Sequence, residues 1–157
     1  MIKQILLGLA ILLVVFLVFQ TIRTRHYIST GRSLADAAEE TKVSKDPKNS
    51  SMSILMIGDS TVVGTGADTP PGSLAGLVSK KFPKARLVNL GVNGRRTSEL
   101  IPTLRDHPEK YDLIMVHTGG NDVVRFTDYI ALETDLGTVL DLAKNRSDKI
   151  VLVASGN

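Results

Sequence analysis

Apolar residues follow two different patterns along this chain. From Ile5 to Phe19, "ILLGLAILLVVFLVF" runs fifteen apolar residues without a break. From Met52 onward they come instead as short runs separated by stretches at helical spacing. The runs "SILMI" (53–57), "RLVNL" (86–90), "DLIMVH" (112–117) and "KIVLVAS" (149–155) are mostly continuous rather than alternating. That predicts strands covered on both faces of a parallel sheet. Between them, Leu74, Leu77, Val78 and Phe82 recur at helical spacing, and so do Leu132, Leu136, Val139, Leu140 and Ala143. The connection around Thr97–Leu104 carries Leu100, Ile101 and Leu104, with Pro102 near the start of its helix. Such strand–helix alternation predicts an α/β fold, a doubly wound parallel sheet with right-handed crossovers.

The first segment reads as a membrane anchor. Ile5–Phe19 alone makes a helix of about 22 Å, short of a hydrocarbon core of roughly 30 Å. Taking Ile2 to Ile22 reaches the needed length, with Lys3 at one end and Arg23 and Arg25 at the other. A cleaved signal peptide is the competing reading, but "FLVFQTIRTRH" offers no small-x-small cleavage site. The chain thus divides into an anchor (1–22), a juxtamembrane segment and linker (23–51) and a folded domain (52–157). Within the middle part, "RSLADAAEETK" predicts a short polar helix, and "SKDPKNSS" (44–51) reads as a linker. Basic residues flank the apolar segment on both sides, so the positive-inside rule leaves the orientation open.

In an open parallel sheet, ligands bind beyond the carboxyl ends of the strands, at the topological switch point. The glycine-rich and polar segments of this chain fall there: "GDSTVVGTG" after the first strand, "GVNGRRTS" after the second and "TGGND" after the third. Their chemistry suits acyl transfer, which needs a nucleophile and donors aimed at a developing oxyanion. Ser60, in a tight turn, can present its hydroxyl while its own N–H points at the oxyanion. Gly94 offers a backbone N–H at close approach. Asn121 adds a neutral amide donor, and Gly119 and Gly120 let its turn come near the substrate. Asp59 and Asp122 are read as braces for their turns. Arg95 and Arg96 could attract an anionic substrate or form a solvated pair at a helix start. A phosphate-loop reading of 58–66 lacks the Gly-Lys-Ser/Thr of a Walker loop and the third glycine of a dinucleotide fingerprint.

At these residues the sequence resembles the SGNH, or GDSL, esterase/lipase family. Gly58-Asp59-Ser60 with Gly64 is similar to block I (GDSxxxG), Gly94 in "NLGVNG" to the block II glycine, and "GGND" (119–122) to block III. The resemblance covers roughly residues 52–157 and implies a flavodoxin-like three-layer α/β/α sandwich. It implies a serine esterase that needs no cofactor and no metal, acting on small-molecule, carbohydrate or lipid esters. By the same resemblance Ser60 is the nucleophile, and Ser60, Gly94 and Asn121 form the oxyanion hole, with Gly58, Asp59 and Asp122 in support.

The family's fourth block, Asp-x-x-His, supplies the histidine base and its aspartate, and no such spacing occurs in the chain. His26 lies beside the apolar segment, and His107 is expected at the opposite edge of the sheet from Ser60. His117, at the end of the third strand, is the one substitute within reach of Asn121; its plainer reading is a strand-end histidine satisfied by local hydrogen bonds. The chain therefore reads as truncated, lacking a fifth strand and closing helix and with little activity of its own. A catalytically inactive relative keeping an ester- or glycan-binding cleft at the membrane is the alternative.

Composition trims the remaining choices. With no cysteine, thiolate nucleophiles, disulfides and Cys-based metal sites are excluded. The net charge of +3 belongs to residues 1–51, which hold 7 Lys/Arg against 4 Asp/Glu, whereas 52–157 hold 12 of each. A balanced domain in a chain with only seven Phe/Tyr residues and no Trp offers little to nucleic acid, so no such partner is expected.

Overall fold

A computed structural model describes residues 2–154 of the chain. They fall into two compact units, Met1–Asp36 and Ala37–Asn157. The first is occupied by helix α1, Ile2–Glu40, whose last turn belongs to the second. No proline interrupts residues 2–40, and the polar part "RSLADAAEE" continues the apolar helix rather than starting a new one. Its apolar side chains from Ile2 to Ile22 are exposed. By length and composition α1 is the one helix among the described residues able to cross a membrane.

In the second unit the order is β1 (Met52–Gly58), α2 (Ser60–Val63), α3 (Leu74–Lys81), β2 (Ala85–Asn89), α4 (Leu100–Asp106), β3 (Leu113–Thr118), α5 (Gly120–Val124), α6 (Tyr129–Lys144) and β4 (Ile150–Ala154). All four strands pair in parallel in the order β2-β1-β3-β4, so the chain reverses its direction of travel between β1 and β3. The four expected strands are these four within a residue or two at each end. Ser155, expected to close the last strand, lies outside the described residues.

Two apolar layers cover the sheet, and β1 feeds both. Ile54 and Met56 point to one face, with Val62, Ala75, Ala85 and Leu87. Leu55 and Ile57 point to the other, where Leu100 and Leu104 of α4 and Val139 and Ala143 of α6 meet Ile114 and Val116. Four consecutive residues of β1, Ile54–Ile57, are fully buried, which is why the strand reads as a continuous apolar run. At its start, the Asp112 carboxylate accepts from the Ser53 N–H (2.7 Å) and hydroxyl (2.9 Å), fixing the β1–β3 register from the amino end.

The segment expected to be a free linker is partly tied to the sheet. Lys45 forms an isolated antiparallel bridge with Leu87, donating to its carbonyl (2.9 Å) and accepting from its N–H (2.7 Å). Val43 packs against the apolar layer beneath. A single bridge satisfies backbone groups on the outer edge of β2 that would otherwise face solvent.

At the carboxyl end of β1, Gly58 sits opposite His117 with φ of +156°. A Cβ built there would lie 2.2 Å from the His117 carbonyl oxygen, a backbone atom that cannot turn aside. Gly58→Ala is expected to destabilise the Ala37–Asn157 unit by at least about 1–3 kcal/mol, the usual range for overpacking. Urea unfolding followed by circular dichroism in mild detergent measures this; an unchanged midpoint would contradict the close approach.

Candidate active site

Three loops meet beyond the carboxyl ends of β1, β2 and β3. The first follows Gly58. Asp59 is extended and caps the four-residue helix α2, its carboxylate accepting from the Thr61 N–H at 3.0 Å. Ser60 is the first residue of α2, so its own N–H has no acceptor within the helix. Gly64 closes α2 with φ of +102°, where a Cβ would lie 2.7 Å from that of Ser73. Sequence periodicity does not reveal a helix this short, and the segment reads as a plain turn.

The second loop leaves β2 through Leu90 and Val92, whose N–H groups extend the β1 ladder to Met56 (2.8 Å) and Gly58 (3.0 Å). Buried Asn89 donates to the Val62 carbonyl at 2.7 Å and accepts the Gly91 N–H at 2.9 Å, joining α2 to this loop. A Cβ on Gly91 would run into Val62 and Val63 at 2.8 Å. Gly94 follows with φ of +73°, a conformation glycine adopts without strain. The Arg125 guanidinium stands at this glycine, 3.2 Å from where a Cβ would be.

The third loop follows β3. Asn121 is the second residue of α5, and its amide donates to the Arg95 carbonyl at 3.2 Å, one residue beyond Gly94. An amide carries two N–H donors, so one remains after that bond. Asp122 is 1% exposed; its carboxylate accepts from the Thr97 N–H (2.9 Å) and hydroxyl (2.8 Å). The Thr97 hydroxyl is also 2.7 Å from that of Thr118. Asp122 thus braces the neighbouring loop rather than its own turn. Arg95 and Arg96 both fold back on the start of α4, toward Thr103 (2.7 Å) and Glu99 (3.7 Å) respectively.

His117 faces Asp59: Nδ1 lies 3.0 Å from Oδ1, and both side chains are buried. The same Asp59 oxygen therefore takes the histidine ring and the Thr61 N–H. Burial works against ionisation of this carboxyl, but the bonds from His117 and Thr61 and the histidine's charge outweigh it. The Asp59 carboxyl is held below the ordinary aspartate range. The sequence offers one signal for this pair, a polar ring in an otherwise apolar strand; its partner, 58 positions away, is set by the β1–β3 register. His107 instead bonds the Thr103 carbonyl through Nδ1 (2.9 Å) at the end of α4, and His26 lies within α1.

A parallel sheet in this order, with helices on both faces and a Gly-Asp-Ser turn after β1, is a three-layer α/β/α architecture of the SGNH-hydrolase kind. The sequence profile described as the GDSL-like Lipase/Acylhydrolase family matches residues 56–156, and the chain belongs to that family. Among solved structures, the chain is similar to AlinE4, an SGNH-hydrolase family esterase. The two share 26% identity and a TM-score of 0.58 over 69% of this chain and 60% of that one. It is similar in fold to TesA (24%, TM-score 0.58, 64% of this chain and 58% of that one). A variant of Axe2, an acetyl xylan esterase from Geobacillus stearothermophilus, has the same fold (23%, TM-score 0.52, 66% and 60%). No curated protein matches the chain significantly in sequence. The chain spans about 60% of the length of these solved relatives.

Because the Asp59 carboxyl is depressed in the folded state, its stabilising effect is complete above the unfolded value. It is lost as pH falls below about 4 toward the folded value. Asp59→Asn keeps a capping oxygen but not the charge. The stability gap between the two proteins should be largest at neutral pH and shrink below about pH 4. Urea unfolding across that range checks the sign; a gap that widens in acid would contradict it.

Proposed function

We propose that this chain carries the nucleophile and oxyanion hole of a membrane-anchored SGNH-type serine esterase. The Ser60 hydroxyl oxygen attacks the ester carbonyl carbon, its proton passing to a base, and the carbonyl electron pair moves onto oxygen. The N–H groups of Ser60 and Gly94 and the Asn121 amide stabilise that oxyanion. Collapse expels the alcohol, which takes a proton, and water then releases the acid from acyl-Ser60. The observation that carries this reading is the convergence of the three loops at the carboxyl ends of β1, β2 and β3, with Asn121 bonded beside Gly94. Small-molecule, carbohydrate and lipid esters are the substrate class; among the similar structures, Axe2 is an acetyl xylan esterase. Residues 2–22 of α1 are the anchor.

The family's Asp-x-x-His pairing is not found in these 157 residues. We assign His117 to holding Asp59 and expect the chain by itself to turn over slowly. An oxyanion hole without its base still retains roughly 10³–10⁴ over water in serine proteases. The same missing pairing favours, as a second reading, a non-catalytic domain that binds esters or glycans.

Exogenous base separates the two. With p-nitrophenyl acetate, imidazole should accelerate acetylation of Ser60, read by mass spectrometry, and Ser60→Ala should abolish the adduct. Asn121→Ala should slow it by roughly a hundredfold, the usual effect of removing one oxyanion donor. Absence of any Ser60 adduct, with ester or glycan affinity retained, selects the binding domain. Fast turnover lost in His117→Ala would move the base to His117.

The anchor has its own test. After expression, alkaline carbonate washing should leave the chain in the membrane pellet with its original N-terminus. A soluble product beginning beyond residue 22 would identify a signal peptide.

A further inference from the structure

The segment just before the family-matched region reaches into the proposed site. In the last turn of α1, Glu39 pairs with Lys42 at 3.2 Å. Its other carboxylate oxygen accepts the Asn93 amide at 3.0 Å. The Lys42 ammonium donates to the Gly91 carbonyl at 3.1 Å. Asn93, its nitrogen directed at Glu39, turns its amide oxygen to accept the Thr65 hydroxyl at 2.6 Å. Thr65 lies in the glycine-rich turn after Ser60, and Asn93 immediately precedes Gly94. One side chain therefore spans two of the three site loops, and its orientation is dictated by a carboxylate from outside the family domain.

The loop needs such a hold. Gly91 and Gly94 have no side chains to pack, and the β1 ladder reaches only as far as Val92. Beyond it, the Arg95 N–H bond to the Val92 carbonyl is long at 3.3 Å. A carboxylate accepting an amide is a charge-assisted bond, roughly twice as strong as its neutral counterpart. Lys42 compensates the charge from the far side while gripping Gly91.

We propose that Glu39 and Lys42 act as positioning residues, a strap from the end of α1 that orients Asn93 and sets the Gly94 N–H relative to Ser60. This rests on the esterase reading of Ser60 and Gly94. The strap lies within the Ala37–Asn157 unit and ties the Gly94 loop to the last turn of α1.

Exchanging the two hydrogen-bonding roles provides the test. Asn93→Asp sets a carboxylate against Glu39, whereas adding Glu39→Gln restores complementarity. The new glutamine amide donates to the new carboxylate, its oxygen faces Lys42, and the second carboxylate oxygen still accepts from Thr65. The full chain in detergent micelles is read by amide hydrogen exchange over residues 91–96 and by imidazole-assisted acetylation of Ser60. Asn93→Asp should speed exchange about tenfold, the loss of one charged hydrogen bond, while β1 amides at Ile54–Ile57 stay protected. It should slow acetylation several-fold, and the double variant should recover both.

A local requirement for asparagine would leave the double variant as impaired as the single one, which overturns the strap. So would wild-type exchange in Asn93→Asp. If Ser60 is never acetylated, exchange alone decides: a rescued exchange rate upholds the strap while the esterase reading fails. Acetylation that proceeds unchanged in all three proteins sinks the strap and leaves the esterase reading intact.

Discussion

The pairing of β1 with β3 at the position where Gly58 faces His117 is the constraint on which the site depends. No side chain fits between that glycine and the His117 carbonyl, so the two strands end in register and close together. Asp59 then emerges beside the His117 ring, and Ser60 and the Gly119–Asn121 turn begin side by side. On the other edge, Gly58 accepts the Val92 N–H and draws the Gly94 loop to the same strand end. All three loops thus hang from the last residues of β1. Displacing that strand end would move the proposed nucleophile and both other donors together.

Polar bonds add to apolar packing in holding the loops in place. Val62 of α2 and Leu90 reach into the two apolar layers, and around them stand Asp59 with His117, Asp122 with Thr97, and Asn89 with Gly91 and Val62. Each is buried, and burying any of these groups without a partner would cost about 1–3 kcal/mol. Mutual bonding offsets much of that cost and leaves directional bonds, although Asp122 Oδ1 is buried without a hydrogen-bond partner among the described residues. Asp59 shows the balance: burial favours the neutral acid, yet the two donors on one oxygen keep it a carboxylate. The charge so held lies next to Ser60, where it fixes the start of α2 and hence the direction of the Ser60 N–H.

The strands were legible because burial on both faces leaves a continuous apolar run that needs no partner to be recognised. The glycine-rich loops were legible because chemistry concentrates at strand ends in this fold class. Helices α2 and α5, with four and five residues, are too short to show a period and depend on their caps. What joins the loops was hidden for a different reason. Asp59 with His117 and Asn93 with Glu39 are pairs separated by more than fifty positions, the first set by the β1–β3 register and the second by where the end of α1 meets the loop after β2. The single bridge at Lys45 is hidden likewise: a charged, proline-containing stretch reads as linker until a strand edge lies beside it.

The two sides of the site are unequal. On the β2 side, Lys45 covers the strand edge while Glu39, Lys42 and Asn93 fill the space beside Gly94 with groups already bonded to one another. On the β3 side, the Asp59–His117 pair lies beneath Ser60, and the neighbouring strand β4 carries only apolar residues, with Val151 and Leu152 exposed. The proposed donors come from both flanks, the Gly94 N–H from the β2 side and the Asn121 amide from the β3 side, and the bond from Asn121 to the Arg95 carbonyl is what brings them to one place.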